Sequence, residues 1–403
     1  MDSTEPTSSS AFQIQMNRPT SADQSQYDDK VNRLQTLYND QKAELPANDP
    51  TLLETMHKLA IAMGGQGKLD DSLKLYQQIL EIQTVKLSAD DPLLLHTMDN
   101  MAVILADLGR PEEAVKVQQK VYDINKNKLS PQDPQLLATM NNMAVTLSEL
   151  GRYDEAVDMY QKVYDAQKNR CEPNDPILIT TMMSMALALI GQKRLNAAAE
   201  IYQKVCDIQK ITLKPDDPER LRTMDHLAFT LSEQGKFDGA IKLYQEILEM
   251  RKSHGENDAS SIVKVMFNIG KAMVRQGKCD EGIEIFRQAY DVEKENSIAP
   301  AASLLFPEMQ RLAASALQAR CLDPSYKVYK QLYLLLKENC LPTETMLLRT
   351  MNELAFVTLQ LRKYLEAMEL CENIYTVQAT VLEENHPILR NLREKIAFIS
   401  TRI

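Results

Sequence analysis

The stretch that decides the fold is Asp133-Pro134-Gln135-Leu136-Leu137-Ala138-Thr139-Met140-Asn141-Asn142-Met143-Ala144, followed by Leu150-Gly151-Arg152-Tyr153-Asp154-Glu155-Ala156. Asp before Pro reads as a helix N-cap followed by a residue suited to the first turn. In the preceding copy of the pattern, Met98, Met101, Ala102 and Leu105 fall at i, i+3, i+4 and i+7, one face of a helix. Ala102 and Ala144 leave room for a second helix to approach. Gly109 and Gly151 supply the left-handed C-cap that ends the first helix. The second helix then carries Ala114, Val117, Val121 and Ile124 on its inner face.

The pattern repeats along the chain. Asp-Pro recurs at Asp49-Pro50, Asp91-Pro92, Asp133-Pro134, Asp175-Pro176 and Asp217-Pro218, each 42 residues after the last. Thr-Met follows each Pro at the same distance: Thr55-Met56, Thr97-Met98, Thr139-Met140, Thr181-Met182 and Thr223-Met224. Met266 continues the register. One inserted residue between about 291 and 308 then gives Met309 and Met351. The turn is Gly at 67, 109, 151, 235 and 277, and Lys193, Arg320 and Arg362 replace it elsewhere. An aromatic on the second helix recurs at Tyr76, Tyr160, Tyr202, Tyr244, Phe286 and Tyr329, with Gln118 and Cys371 in its place in two repeats. Asp123–Lys126, Asp165–Lys168, Asp207–Lys210, Glu249–Lys252 and Asp291–Lys294 read as i,i+3 pairs on a solvated outer face. Each unit is therefore an antiparallel helix pair. Eight pairs fill residues 50–386. Residues 24–49 read as an unpaired second-type helix and 387–403 as a final first-type helix, capping the array as solenoids require. The Ser/Thr/Gln/Pro-rich residues 1–23 are expected to be disordered.

Composition agrees. The 403 residues hold only 12 Gly and no Trp, which favours helix over a turn-rich β fold. A net charge of −10 argues against nucleic acid, whose phosphates call for clustered Lys and Arg. No basic, apolar leader opens the chain and no apolar run approaches a membrane span. The six Cys form no C-x-x-C pair and read as free thiols of a reducing compartment. The expectation is a cytoplasmic protein without membrane insertion.

These residues resemble tetratricopeptide repeats. The small residues Ala102 and Ala114 and the aromatic Tyr160 stand at the family's spacing. The 42-residue length, with Thr139–Ala144 and Leu150–Ala156, is similar to the kinesin-light-chain type. The resemblance implies an all-α right-handed superhelical solenoid and a non-catalytic scaffold that binds a partner peptide or helix in a concave groove. The alternative it implies is a motor-linked cargo adaptor within a cytoskeletal complex. Light chains carry a heptad coiled coil before their repeats, and no sustained a/d pattern precedes the first repeat here.

No constellation points to catalysis, a cofactor or a metal. Gly64-Gly65-Gln66-Gly67-Lys68 lacks the phosphate-loop spacing. His57 and His96 fall on first helices of neighbouring repeats and could share one groove, but a metal would need further ligands. The family's groove positions, carried over by register, give Asp99, Asp107, Asn141, Glu149, Arg222, Asp225, Phe229, Lys264, Phe267, Lys271, Arg275, Arg349, Asn352 and Phe356 as partner-binding candidates. They predict an acidic early groove (Glu54, Asp99, Asp107, Glu149) and a basic sixth repeat (Lys264, Lys271, Arg275). A ninth-position apolar stripe (Ile61, Val103, Val145, Leu187, Phe229, Phe356) either lines the groove or packs between helices.

Overall fold

Five aspartates set the frame. In this computed structural model Asp49, Asp91, Asp133, Asp175 and Asp217 each accept a hydrogen bond from the N–H two residues on, at 2.8–2.9 Å. Each is followed by Pro at the first helical position. Such a cap contributes about 1 kcal/mol, because it satisfies a backbone donor that the helix itself leaves unpaired.

The structure describes residues 21–253, 259–296, 298, 302–339, 341 and 344–403. These hold 18 helices and no strand. The first nine are α1 (Ser21–Glu44), α2 (Pro50–Gly65), α3 (Leu69–Lys86), α4 (Pro92–Asp107), α5 (Pro111–Lys128), α6 (Pro134–Glu149), α7 (Tyr153–Gln167), α8 (Pro176–Gly191) and α9 (Leu195–Thr212). The rest are α10 (Pro218–Glu233), α11 (Phe237–Ser253), α12 (Ala259–Gln276), α13 (Cys279–Glu295), α14 (Leu305–Gln318), α15 (Leu322–Asn339), α16 (Thr345–Gln360), α17 (Tyr364–Ala379) and α18 (Pro387–Ser400). The chain is an all-α solenoid, with eight helix pairs between α1 and α18. Residues 21–23, expected in a disordered tail, belong to α1, while 1–20, His254 and Cys340 lie outside the described residues. Part of the segment expected to hold the inserted residue, 297 and 299–301, also lies outside them.

The chain divides into two compact units, Met1–Thr212 and Leu213–Ile403. Within each unit, consecutive helices pack against one another. In the first unit the first-type helices α2, α4, α6 and α8 also touch their neighbours of the same type.

The turns explain the substitutions seen in the sequence. The Gly109 N–H bonds to Ala106 O and the Arg110 N–H reaches back to Leu105 O at 2.9 Å, with Gly109 at φ 75°. Lys193, Arg320 and Arg362 adopt the same left-handed conformation at φ 58–60° and make the same backward bonds. The motif therefore survives without Gly, at the cost of a Cβ in a crowded region.

The second-helix aromatics are core residues. Tyr76, Tyr160, Tyr202, Tyr244, Phe286 and Tyr329 are all at most 2% exposed. Opposite them Ala60, Ala102, Ala144, Ala186, Ala228 and Ala313 are fully buried. Of the eight register methionines, seven are buried and Met98 is half-buried. The tightest helix contact is α12 with α13, where a Cβ on Gly282 would lie 2.7 Å from Gly270 O. At the same small position Ser72 and Ser325 donate to Ala60 O and Ala313 O, at 2.7 and 2.9 Å.

Candidate functional site

The register threonines orient the first helices. Thr55, Thr97, Thr139, Thr181 and Thr223 are buried, each donating to the carbonyl four residues back. That face is thereby fixed inward, and the opposite face of each first helix carries the ninth-position residues. Ile61 is 49% exposed and Val103 36%, while Val145 and Leu187 are half-buried. In the second unit Phe229 is half-buried and Phe356 is 50% exposed. The apolar stripe thus stays open to solvent at three positions.

The fifth position behaves differently. Asp99 is 5% exposed, and its Oδ2 accepts from Thr139 Oγ1 of the next repeat. Asn125 Nδ2 lies 3.5 Å from the same hydroxyl, so the three residues tie α4, α5 and α6 together. Burial pushes the Asp99 carboxyl up to about 6, against which the Thr139 bond acts only partly. Phe267, at the same position of the sixth repeat, is 5% exposed and stacks on Phe286 at 5.4 Å. Both were expected to face a ligand; both are instead inter-helix packing, because in these two repeats the fifth side chain meets a neighbouring helix. Asp225 and Asn141 are half-buried. Desolvation raises the Asp225 carboxyl, opposed by Lys264 and Arg251.

The thirteenth positions do form an accessible row. Asp107 and Glu149 keep solvent access. Partial desolvation raises both carboxyls, and the charge of Asp107 raises Glu149 further. In the second unit the equivalent neighbours have opposite signs, and Arg275 meets Glu233 at 2.5 Å. The Arg275 guanidinium also lies 5.5 Å above the Phe237 ring. Lys271 is half-buried and lowered, chiefly by desolvation. The basic sixth repeat is therefore partly neutralised within its own unit, and Lys264 stands exposed on the same helix. Arg222 is exposed and paired with Glu219 at 2.5 Å. Arg349 and Asn352 are exposed near Phe356, with Asn352 Nδ2 bonded to Leu348 O at 3.0 Å.

The sequence profile described as tetratricopeptide repeat matches residues 51–127, 94–169, 135–211, 177–253 and 219–295, and a second profile so described matches 347–388. The chain belongs to the tetratricopeptide repeat family. No curated protein matches the sequence. Among solved structures, the apo form of RapI has a TM-score of 0.51 at 9% identity, covering 71% of this chain and 98% of its own. A Podosopora anserina structure described as a putative kinesin light chain with nearly identical TPR-like repeats has 24% identity and a TM-score of 0.49, covering 52% of this chain and 99% of its own. YrrB, described as a TPR protein with an unusual peptide-binding site, has 14% identity and a TM-score of 0.36, over 55% of this chain and 94% of its own.

In this tetratricopeptide array the structure brings cations that the groove register did not supply beside Ile61, which it did. Lys30, Arg33 and Leu34 of α1, with Lys58 and Ile61 of α2, line an open cavity of about 570 Å³. Leu34 stands in register with the aromatic Tyr76, which packs on a first helix. Among the described residues no first-type helix precedes α1, and cations rim the end of a groove expected to be acidic. The signal was available in the unpaired helix itself. The Gly64–Lys68 turn offers no phosphate cradle: the Gly67 and Lys68 N–H groups bond to Gly64 O and Met63 O, both at 2.9 Å. Among the described residues no group of three or more His, Cys, Asp or Glu side chains is arranged to hold a metal ion. None of the described helices is long and apolar enough to cross a membrane. Cys171, Cys279, Cys321 and Cys371 are free thiols.

Proposed function

We propose that this chain is a non-catalytic interaction scaffold whose first-helix faces bind a partner peptide or amphipathic helix. The observation that carries the reading is the solvent-open ninth-position stripe, with Ile61 and Val103 exposed on the first helices of neighbouring repeats. Burying such side chains against a ligand contributes roughly 1.5–3 kcal/mol each when the burial is complete. The flanking thirteenth-position carboxylates Asp107 and Glu149 favour a ligand that brings positive charge to the second and third repeats. Tetratricopeptide repeats are generally a non-enzymatic interaction fold, which agrees with this use.

The test is affinity capture with full-length protein, wild type against Ile61→Asp/Val103→Asp. Val85→Asp serves as a control, since Val85 is 84% exposed on the second helix α3. The reading expects partner recovery to fall for the double variant and to persist for the control, with unchanged circular dichroism for both. Equal recovery by all three proteins refutes it.

A further inference from the structure

We infer that His57 and His96 form a binding site for a divalent first-row transition ion, with Cu2+ the tightest. His57 lies on α2 and His96 on α4, the first helices of adjacent repeats. Their rings stand 4.9 Å apart. Asn100 Nδ2 lies 3.1 Å from His57 Nε2 and 3.3 Å from His96 Nε2.

That geometry selects one tautomer for both rings. An amide nitrogen is only a donor, and it carries two protons. Facing both Nε2 atoms, it requires each to accept, which places each imidazole proton on Nδ1. Two bare nitrogen lone pairs therefore converge on one point. This is how a pair of imidazoles chelates a cation, and the amide now occupies the place the cation would take. Imidazole–metal bonds run about 2.0–2.1 Å, so each ring needs to move inward by roughly 1 Å.

The two rings suit the task in different ways. His57 is half-buried and held edge-on against the Tyr76 ring at 5.4 Å, so its orientation is set in advance. His96 is exposed and free to close the distance. His96 and Asn100 are four residues apart on one helix face, the spacing by which helical side chains share a metal. Turning the Asn100 amide presents its Oδ1 as a third donor, and water completes the shell. Glu54 and Lys58 beside His57 form an ion pair at 2.6 Å and together add no net charge. Nitrogen and oxygen donors with open positions suit Cu2+ and Ni2+, and Cu2+ leads the affinity order. An ion held here links the first repeat to the second across α2 and α4.

The experiment uses the full-length protein with Cu2+ as probe, by titration calorimetry and electron paramagnetic resonance at pH 7.5. The expected result is one tight equivalent whose spectrum carries coupling to imidazole nitrogen. His57→Ala and His96→Ala each weaken it by about 10-fold or more, since even groups behind a metal ligand matter that much. His386→Ala leaves it unchanged. Asn100→Asp, which puts a charged oxygen donor at the same place, tightens it, a gain that misfolding cannot produce. No binding, a signal without imidazole coupling, or equal affinity in the His57→Ala/His96→Ala double variant overturns the assignment.

Discussion

Replacing Asp99 by Asn should change how the stability of the first unit depends on pH. The buried Asp99 carboxyl stands at about 6, against an ordinary value of 3.8. Its Oδ1 has no hydrogen-bond partner among the described residues, so only the Thr139 hydroxyl offsets its loss of water. Because the folded value is raised, the folded state keeps its proton between about pH 4 and pH 6 while the unfolded chain releases it. Stability then falls as pH rises through that window, and the full penalty is present above it. At about 1.4 kcal/mol per unit, the difference amounts to about 3 kcal/mol. The Asn variant has no such titration, while every other carboxylate contributes equally to both proteins. The gap in stability, variant minus wild type, should therefore grow by about 2.4 kcal/mol between pH 4 and pH 7. Any constant cost of seating the amide cancels from this comparison. Hydrogen exchange of α4 and α6 at the two pH values gives the local opening free energies directly. Parallel pH dependences of wild type and variant would refute the assignment of a buried, under-solvated carboxylate.

Three further outcomes follow from the packing. Gly270→Ala should lower the melting temperature of the second unit, since its Cβ would meet Phe286 at 2.4 Å and Gly282 O at 2.9 Å; overpacking of this kind costs about 1–3 kcal/mol. Lys193→Gly should stabilise the first unit by up to about 1 kcal/mol in urea unfolding, because relief of the left-handed Cβ clash exceeds the added chain entropy of Gly. Asp175→Ala should cost about 1 kcal/mol through loss of the bond to the Ile177 N–H, seen as faster exchange at the start of α8.

Much of the fold was legible because each repeat states its own local physics. Asp-Pro marks a helix start, Gly or a substitute marks its end, and the small and aromatic positions mark the crossing between the two. Lys193, Arg320 and Arg362 show the strength of that register, since they were assigned to the turn despite the wrong residue type. The candidate site was less legible. Asp99 and Phe267 were placed on an exposed face because helical periodicity says which way a side chain points, but not how closely the next helix follows. The cation-rimmed cavity at α1 was missed because its residues were read as part of a cap rather than as a surface left uncovered. The outer-face pairs were also over-read. Asp165 and Lys168 meet at 2.5 Å, but Lys126 lies over the Tyr122 ring and Asp123 accepts from Gln119.

Sequence by itself determined the helix boundaries, the pairing of helices and the repeat length, all consequences of interactions spanning a few residues. Only the tertiary structure decided which charges remain available. Arg275 is spent on Glu233, Asp107 and Glu149 stand side by side without such a partner in their row, and His57 meets His96 across two repeats. Those outcomes depend on contacts about 40 residues apart, where distances of a few ångströms decide whether a charge is paired, repelled or shared.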